Sequence, residues 1–142
     1  MPMLIEHIDA IARKQQRDVL YLTFHLKNAN ANGFQERKGY DYNDDPVRNK
    51  ICAWLTEHNM RWQPCGHIAS ETMMMSYRGQ IYLDVPFDDN DPTYLKVRDY
   101  LEHPDGTQRF PTVIFWYLTL EKALENAHHD EPGFWEHWAD NF

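Results

Sequence analysis

Hydrophobic and polar positions change period in a definite order along this chain. Residues 19–26 alternate strictly, with Leu20, Leu22, Phe24 and Leu26 on one side and Val19, Tyr21, Thr23 and His25 on the other, which predicts a strand. Helical spacing follows over 46–58, strand-like runs over 68–77 and 80–86, helical spacing again over 92–102, and a last strand over 112–118. The order β, α, β, β, α, β predicts an α+β sandwich with a ferredoxin-like core. In that arrangement an antiparallel sheet of spatial order 4-1-3-2 carries both helices on one face. Residues 1–142 read as a single domain, long enough to bury a core without staples.

Both core helices begin at Asp-Pro, as Asp45-Pro46 and Asp91-Pro92. Aspartate accepts from the exposed amides of a first turn, and proline is tolerated there because no donor is needed. The first helix is expected to bury Val47, Ile51, Trp54 and Leu55, the second Tyr94, Val97 and Leu101, with Asn59 and the run His103–Gly106 as stops. A two-residue turn at Arg78-Gly79 would pair the second and third strands as a hairpin, setting Tyr77 opposite Gln80, Met75 opposite Tyr82 and Met73 opposite Asp84. With Ile81, Leu83 and Val85 as the core set, Met73, Met75, Tyr77 and Tyr82 are expected to point away from the helices.

Outside this motif, residues 3–16 place Leu4, Ile5, Ile8, Ile11 and Ala12 on one helical stripe, with Glu6, Asp9, Arg13 and Lys14 off it. The polar stretch 27–45 reads as a mobile loop, a hairpin turning at Asn32-Gly33 being the competing reading. Residues 112–118 are apolar on both faces, so a cover is expected for the face opposite the helices. Three covers are available: the N-terminal helix, the C-terminal aromatic segment or a second copy of the chain. After a helix over 121–127, Phe134, Trp135, Trp138 and Phe142 share a helical stripe.

Net charge is −8 and unevenly placed: residues 1–79 hold ten Lys/Arg against nine Asp/Glu, residues 80–142 four against thirteen. Such a chain repels phosphate backbones, so nucleic acid is not an expected partner, and the short cluster Arg13, Lys14, Arg17 reads as a solvated helix end. Two cysteines without CxxC spacing, and no apolar run long enough to span or target a membrane, suggest a cytoplasmic protein with reduced thiols.

Chemistry-bearing residues are sparse. His128, His129, Asp130, Glu131 and His137 lack a metal-binding helical spacing, no glycine-rich phosphate loop occurs, and neither metal nor cofactor is expected. Cys65 and His67 follow one another too closely for adjacency alone to make a nucleophile and base. His25, Tyr82 and Asp84 share the open sheet face and form the candidate acid–base set. Tyr21, Met73, Met75, Tyr77 and Trp116 on that face, with Phe134, Trp135 and Trp138 of the tail, form the candidate binding surface. The leading expectation is a non-catalytic interaction or regulatory protein that self-associates through an apolar sheet face and has a possible protein partner. A small enzyme with its acid–base site on the open face and an acidic mimic of nucleic acid are the alternatives.

Overall fold

A computed structural model describes residues 6–25, 42–69 and 77–140. The elements are α1 (Ile8–Gln15), β1 (Val19–Phe24), α2 (Pro46–Glu57), β2 (Trp62–Pro64), β3 (Ile81–Leu83), α3 (Pro92–Leu101), β4 (Val113–Leu118), α4 (Leu120–Leu124) and α5 (Phe134–Asp140). The protein is α+β, with a four-stranded antiparallel sheet in the order β2-β3-β1-β4.

Both core helices start where the Asp-Pro pairs place them. Asp45 accepts from the amides of Val47 and Arg48, and Asp91 from those of Thr93 and Tyr94. In the turn that follows α2, Asn59 has a left-handed φ of 59°, a conformation asparagine tolerates better than most residues. Leu20, Leu22 and Phe24 of β1 pack with Ile81 and Leu83 of β3 against Ile51 and Leu55 of α2 and Val97 and Leu101 of α3. Between the two helices the gap is filled by rings: Trp54 stacks on Tyr100 at 4.0 Å and 4°, and Tyr100 meets Phe110 at 5.5 Å.

The opposite face is covered at one end. Ile8, Ile11 and Ala12 of α1, with Ala123 of α4, bury Val19, Tyr82, Leu118 and Cys65 in a second core. Full burial of each large aliphatic side chain contributes about 1.5–3 kcal/mol relative to exposure, which fixes α1 on the sheet. Of the three covers considered for this face, the N-terminal helix takes that position.

The second strand is a correction. The edge strand beside β3 is Trp62–Pro64, not 68–77, and Gln63, not Met75, stands opposite Tyr82. Ile68, Ala69 and Tyr77 are not strand, and residues 70–76, which include Met73 and Met75, lie outside the described residues. The chain leaves α2 at Asn59 and enters the sheet three residues later, in a segment too short to show alternation. The third strand is likewise shorter than 80–86, closing at Leu83, whose carbonyl accepts from Val85 N–H. Helix 121–127 is replaced by α4 and a 3₁₀ turn over Ala127–Asp130, and of the predicted segment 3–16 the described Glu6 and His7 precede α1 rather than belong to it. Of the stretch 27–45, the described part holds a 3₁₀ turn over Tyr42–Asp44; the mobile-loop and hairpin readings fall on residues outside the described set.

At Gly79 the backbone has φ of +88°, and a Cβ there would lie 2.5 Å from the Cβ of Tyr42. The glycine carbonyl accepts from Arg48 Nε at 2.9 Å. Only a residue without a side chain permits that approach. The expected turn residue is thus present, serving a loop rather than a hairpin.

Candidate functional site

The acid–base set does not assemble. Tyr82 is buried beneath α1, where its hydroxyl donates to Asp84 at 3.1 Å and accepts from Arg17 Nη2 at 3.2 Å. Arg17 also pairs with Asp84 at 2.7 Å. Burial pushes the Tyr82 phenol above its ordinary range, and the Arg17 hydrogen bond opposes part of that rise. His25 lies at the other end of β1, with Nε2 3.4 Å from Thr23 Oγ1. Tyr21 is the β1 neighbour of Tyr82, and four residues of strand at about 3.3 Å each put His25 roughly 13 Å away. Sharing a face does not bring residues together when they sit at opposite ends of a strand.

Other reactive groups are equally enclosed. The Cys65 thiol is buried among apolar neighbours and pushed up to about 12, so it is protonated and inert as a nucleophile at neutral pH. His67 Nε2 contacts the side-chain amide of Gln80. Among the described residues no group of His, Cys, Asp and Glu is placed to hold a metal ion. A depression of about 710 Å³ follows α3, where Arg98 and Arg109 meet Glu102 and Asp105. Arg109 Nε donates to the carbonyls of Asp99 and Glu102, so its role is to close the helix C-terminus, the end of a helix least suited to an anion.

The remaining predicted residues divide between cover and exposure. Tyr77 donates to the Gln80 carbonyl, accepts from Arg48 and meets Tyr42 edge-on, which makes it a loop brace. In the tail, Trp135 packs on His129 at 4.7 Å and on His7 at 6.0 Å, and Phe134 on His129 at 4.8 Å. Trp138 meets Trp135 at 5.4 Å. The aromatic stripe, one of the three covers available for strand four, instead docks on the turn Ala127–Asp130 and the start of α1; Phe142 lies outside the described residues.

Strand β4 is different. Trp116 is 42 % exposed, stacks on Tyr21 at 6.2 Å and donates its indole N–H to Thr23 Oγ1 at 2.8 Å. On the opposite face Tyr117, 57 % exposed, meets Phe87 at 4.8 Å, and Phe87 in turn packs on Tyr94. Aromatic pairs thus flank the strand above and below.

Its backbone polarity follows from register. His25 N–H donates to the Thr112 carbonyl, and antiparallel pairs alternate between bonded and non-bonded, so residues 112, 114, 116 and 118 direct their amides and carbonyls toward β1. Residues 113, 115 and 117 direct theirs outward. Val113 N–H returns to the Phe110 carbonyl, and among the described residues no strand lies beyond the edge. At the other edge of the sheet, β2 has only three residues, and Pro64 removes one of its outward donors. One edge is blunted. The other carries Val-Ile-Phe-Trp-Tyr-Leu with no charge, proline or glycine.

No protein-family model matches the chain, and no curated protein or solved structure matches it significantly.

Two features here escaped the sequence. Asp9 lies off the apolar stripe and Arg13 in the cluster expected as a solvated helix end, yet both are buried, and Arg13 binds Asp130 through two nitrogens at 2.8 and 2.9 Å. The binding potential of β4 also went unread: the expected strand order already put it at an edge, but its unbroken apolar run pointed to a face in need of a cover rather than to an open flank.

Proposed function

We propose that the chain is a non-catalytic interaction module, built on a ferredoxin-like βαββαβ plan, that binds an extended segment of protein by strand addition at β4. The observation carrying this reading is the unblunted apolar edge flanked by exposed aromatic pairs. Outward amides and carbonyls of residues 115 and 117 supply main-chain hydrogen bonds, and Trp116 and Tyr117 offer one apolar surface on each side of the incoming strand. The free thiols of Cys52 and Cys65 fit a reducing compartment such as the cytosol. The acid–base alternative draws less support, since Tyr82 and Asp84 both bond Arg17 and His25 lies farther along β1.

Selection of displayed random peptides on immobilised protein tests the reading, with Tyr117→Pro as the control. Proline at 117 removes an outward amide and leaves the ladder to β1 intact. Enrichment of alternating apolar peptides on the wild type and its loss on the variant is the expected result. Enrichment that is indifferent to the substitution, or no enrichment on a protein that is monomeric, overturns strand addition at β4.

A further inference from the structure

Resting on that reading, we propose that the strand received by β4 is β4 of a second copy, antiparallel and related by a two-fold axis at Phe115. The two sheets then join into one of eight strands. In this register Phe115 faces its own copy, Val113 faces Tyr117, and Ile114 faces Trp116. Residues 113, 115 and 117 direct their backbone groups outward in both copies, so the hydrogen-bonding positions coincide without a shift. Every cross-strand pair is apolar on apolar, and no charge of β4 is desolvated.

Charge distribution selects this orientation. The strand end at Tyr117 lies beside Phe87, whose loop continues into Asp88, Asp89 and Asp91 without a basic residue. At the other end Lys50 sits 5.7 Å above the Phe110 ring, and Arg98 and Arg109 offset Asp99, Glu102 and Asp105. A parallel match sets the two acidic tips side by side. The antiparallel match puts each acidic tip against a balanced one, and it also runs α3 of one copy opposite in direction to α3 of the other, so that their dipoles oppose. A chain of net charge −8 can associate with itself only where its acidic residues are kept apart, and this arrangement does so.

Sedimentation equilibrium from micromolar to sub-millimolar protein gives the first test: the wild type is expected to form a dimer that dissociates on dilution. Tyr117→Pro should hold the mass at that of the monomer at every concentration without changing the melting curve of the monomer. If that variant fails to fold, Tyr117→Lys, which adds an edge charge and spares the backbone, takes its place. Register is read by mixing Ile114→Cys chains with Trp116→Cys chains, both carrying Cys52→Ser. A non-hydrogen-bonded pair separates Cα atoms by about 4.5 Å, within disulfide reach, so a linked pair of the two different chains is expected, in much higher yield than from either variant alone. A wild type that stays monomeric yet selects peptides through Tyr117 overturns self-pairing and leaves strand addition standing. A dimer insensitive to both Tyr117 variants overturns self-pairing at β4. A β4 dimer that gives no 114–116 link overturns the two-fold at Phe115.

Discussion

Asp9 is fully buried, and its carboxylate accepts from Arg13 Nη1, Asn126 Nδ2 and the amides of Ala10 and Ala69. A buried carboxylate so surrounded is stable only while its cation is present. Asp9→Ala is therefore expected to destabilise the protein by about 1–3 kcal/mol in urea unfolding, because the Ala69 amide and Asn126 lose their acceptor while Arg13 keeps Asp130 and the Ala123 carbonyl. Hydrogen bonding to Arg13 holds the Asp130 carboxyl below its ordinary range. That part of the stability is present above the unfolded carboxylate value of about 3.9 and is lost as pH falls through the lower folded value. Asp130→Asn should flatten the acid limb of the stability curve. His7 responds at milder pH: burial lowers its pKa from 6.5, with Asp9 opposing, so the unfolded chain takes up the proton more readily. Stability is expected to decline as pH falls below 6.5 toward the folded value, and His7→Gln to remove that decline in urea titrations. None of this was legible from spacing. A charged pair at i and i+4 on a helix reads as a solvent face, and only the arrival of α4 and the turn after it buries Asp9 and Arg13.

At the level of the element, local chemistry decided where helices begin, and packing decided where strands end. The Asp-Pro starts at 45–46 and 91–92 were legible because capping needs only neighbouring residues. Asp91→Ala is expected to lower stability by roughly 0.5–2 kcal/mol through the lost bonds to Thr93 and Tyr94, checked by the shift in urea midpoint. Gly79→Ala should be worse than the usual 1 kcal/mol or so of a strained backbone, because its methyl meets Tyr42 as well as an unfavourable φ. Thermal unfolding of the two variants side by side checks the order. The strand Trp62–Pro64 was illegible for the opposite reason: three residues show no period, and their membership of the sheet comes from the partner Ile81–Leu83.

For the whole molecule, the sheet is a middle layer, with α2 and α3 on one face and α1 backed by α4 over one end of the other. The tail belongs to the second layer, since Trp135 rests on His7 and His129. Trp135→Ala is expected to lower the melting temperature by several degrees, as about 1–3 kcal/mol of lost packing would in a chain of this size. The same variant should leave association at β4 unchanged, because the docked tail and the exposed edge are different surfaces; light scattering checks this. The described residues contain no helix long and apolar enough to cross a membrane.

What the amino-acid order settled by itself was local: strict alternation in β1, the capped starts of α2 and α3, the apolar run of β4, and the assignment of Leu20, Leu22, Ile81 and Leu83 to the helix-facing side. Each depends on residues within one or two turns or pleats of one another. Contacts between distant segments were decided only on folding. The sheet's assembly put Trp62–Pro64 beside β3 and separated His25 from Tyr82, and the closing of α1 against α4 joined Arg13 to Asp130 across 117 positions. The pattern of a segment records which of its faces is buried. It does not record against what, or whether a flank is left without a neighbour, because hydrogen-bond edges and desolvation exist only once the elements are packed.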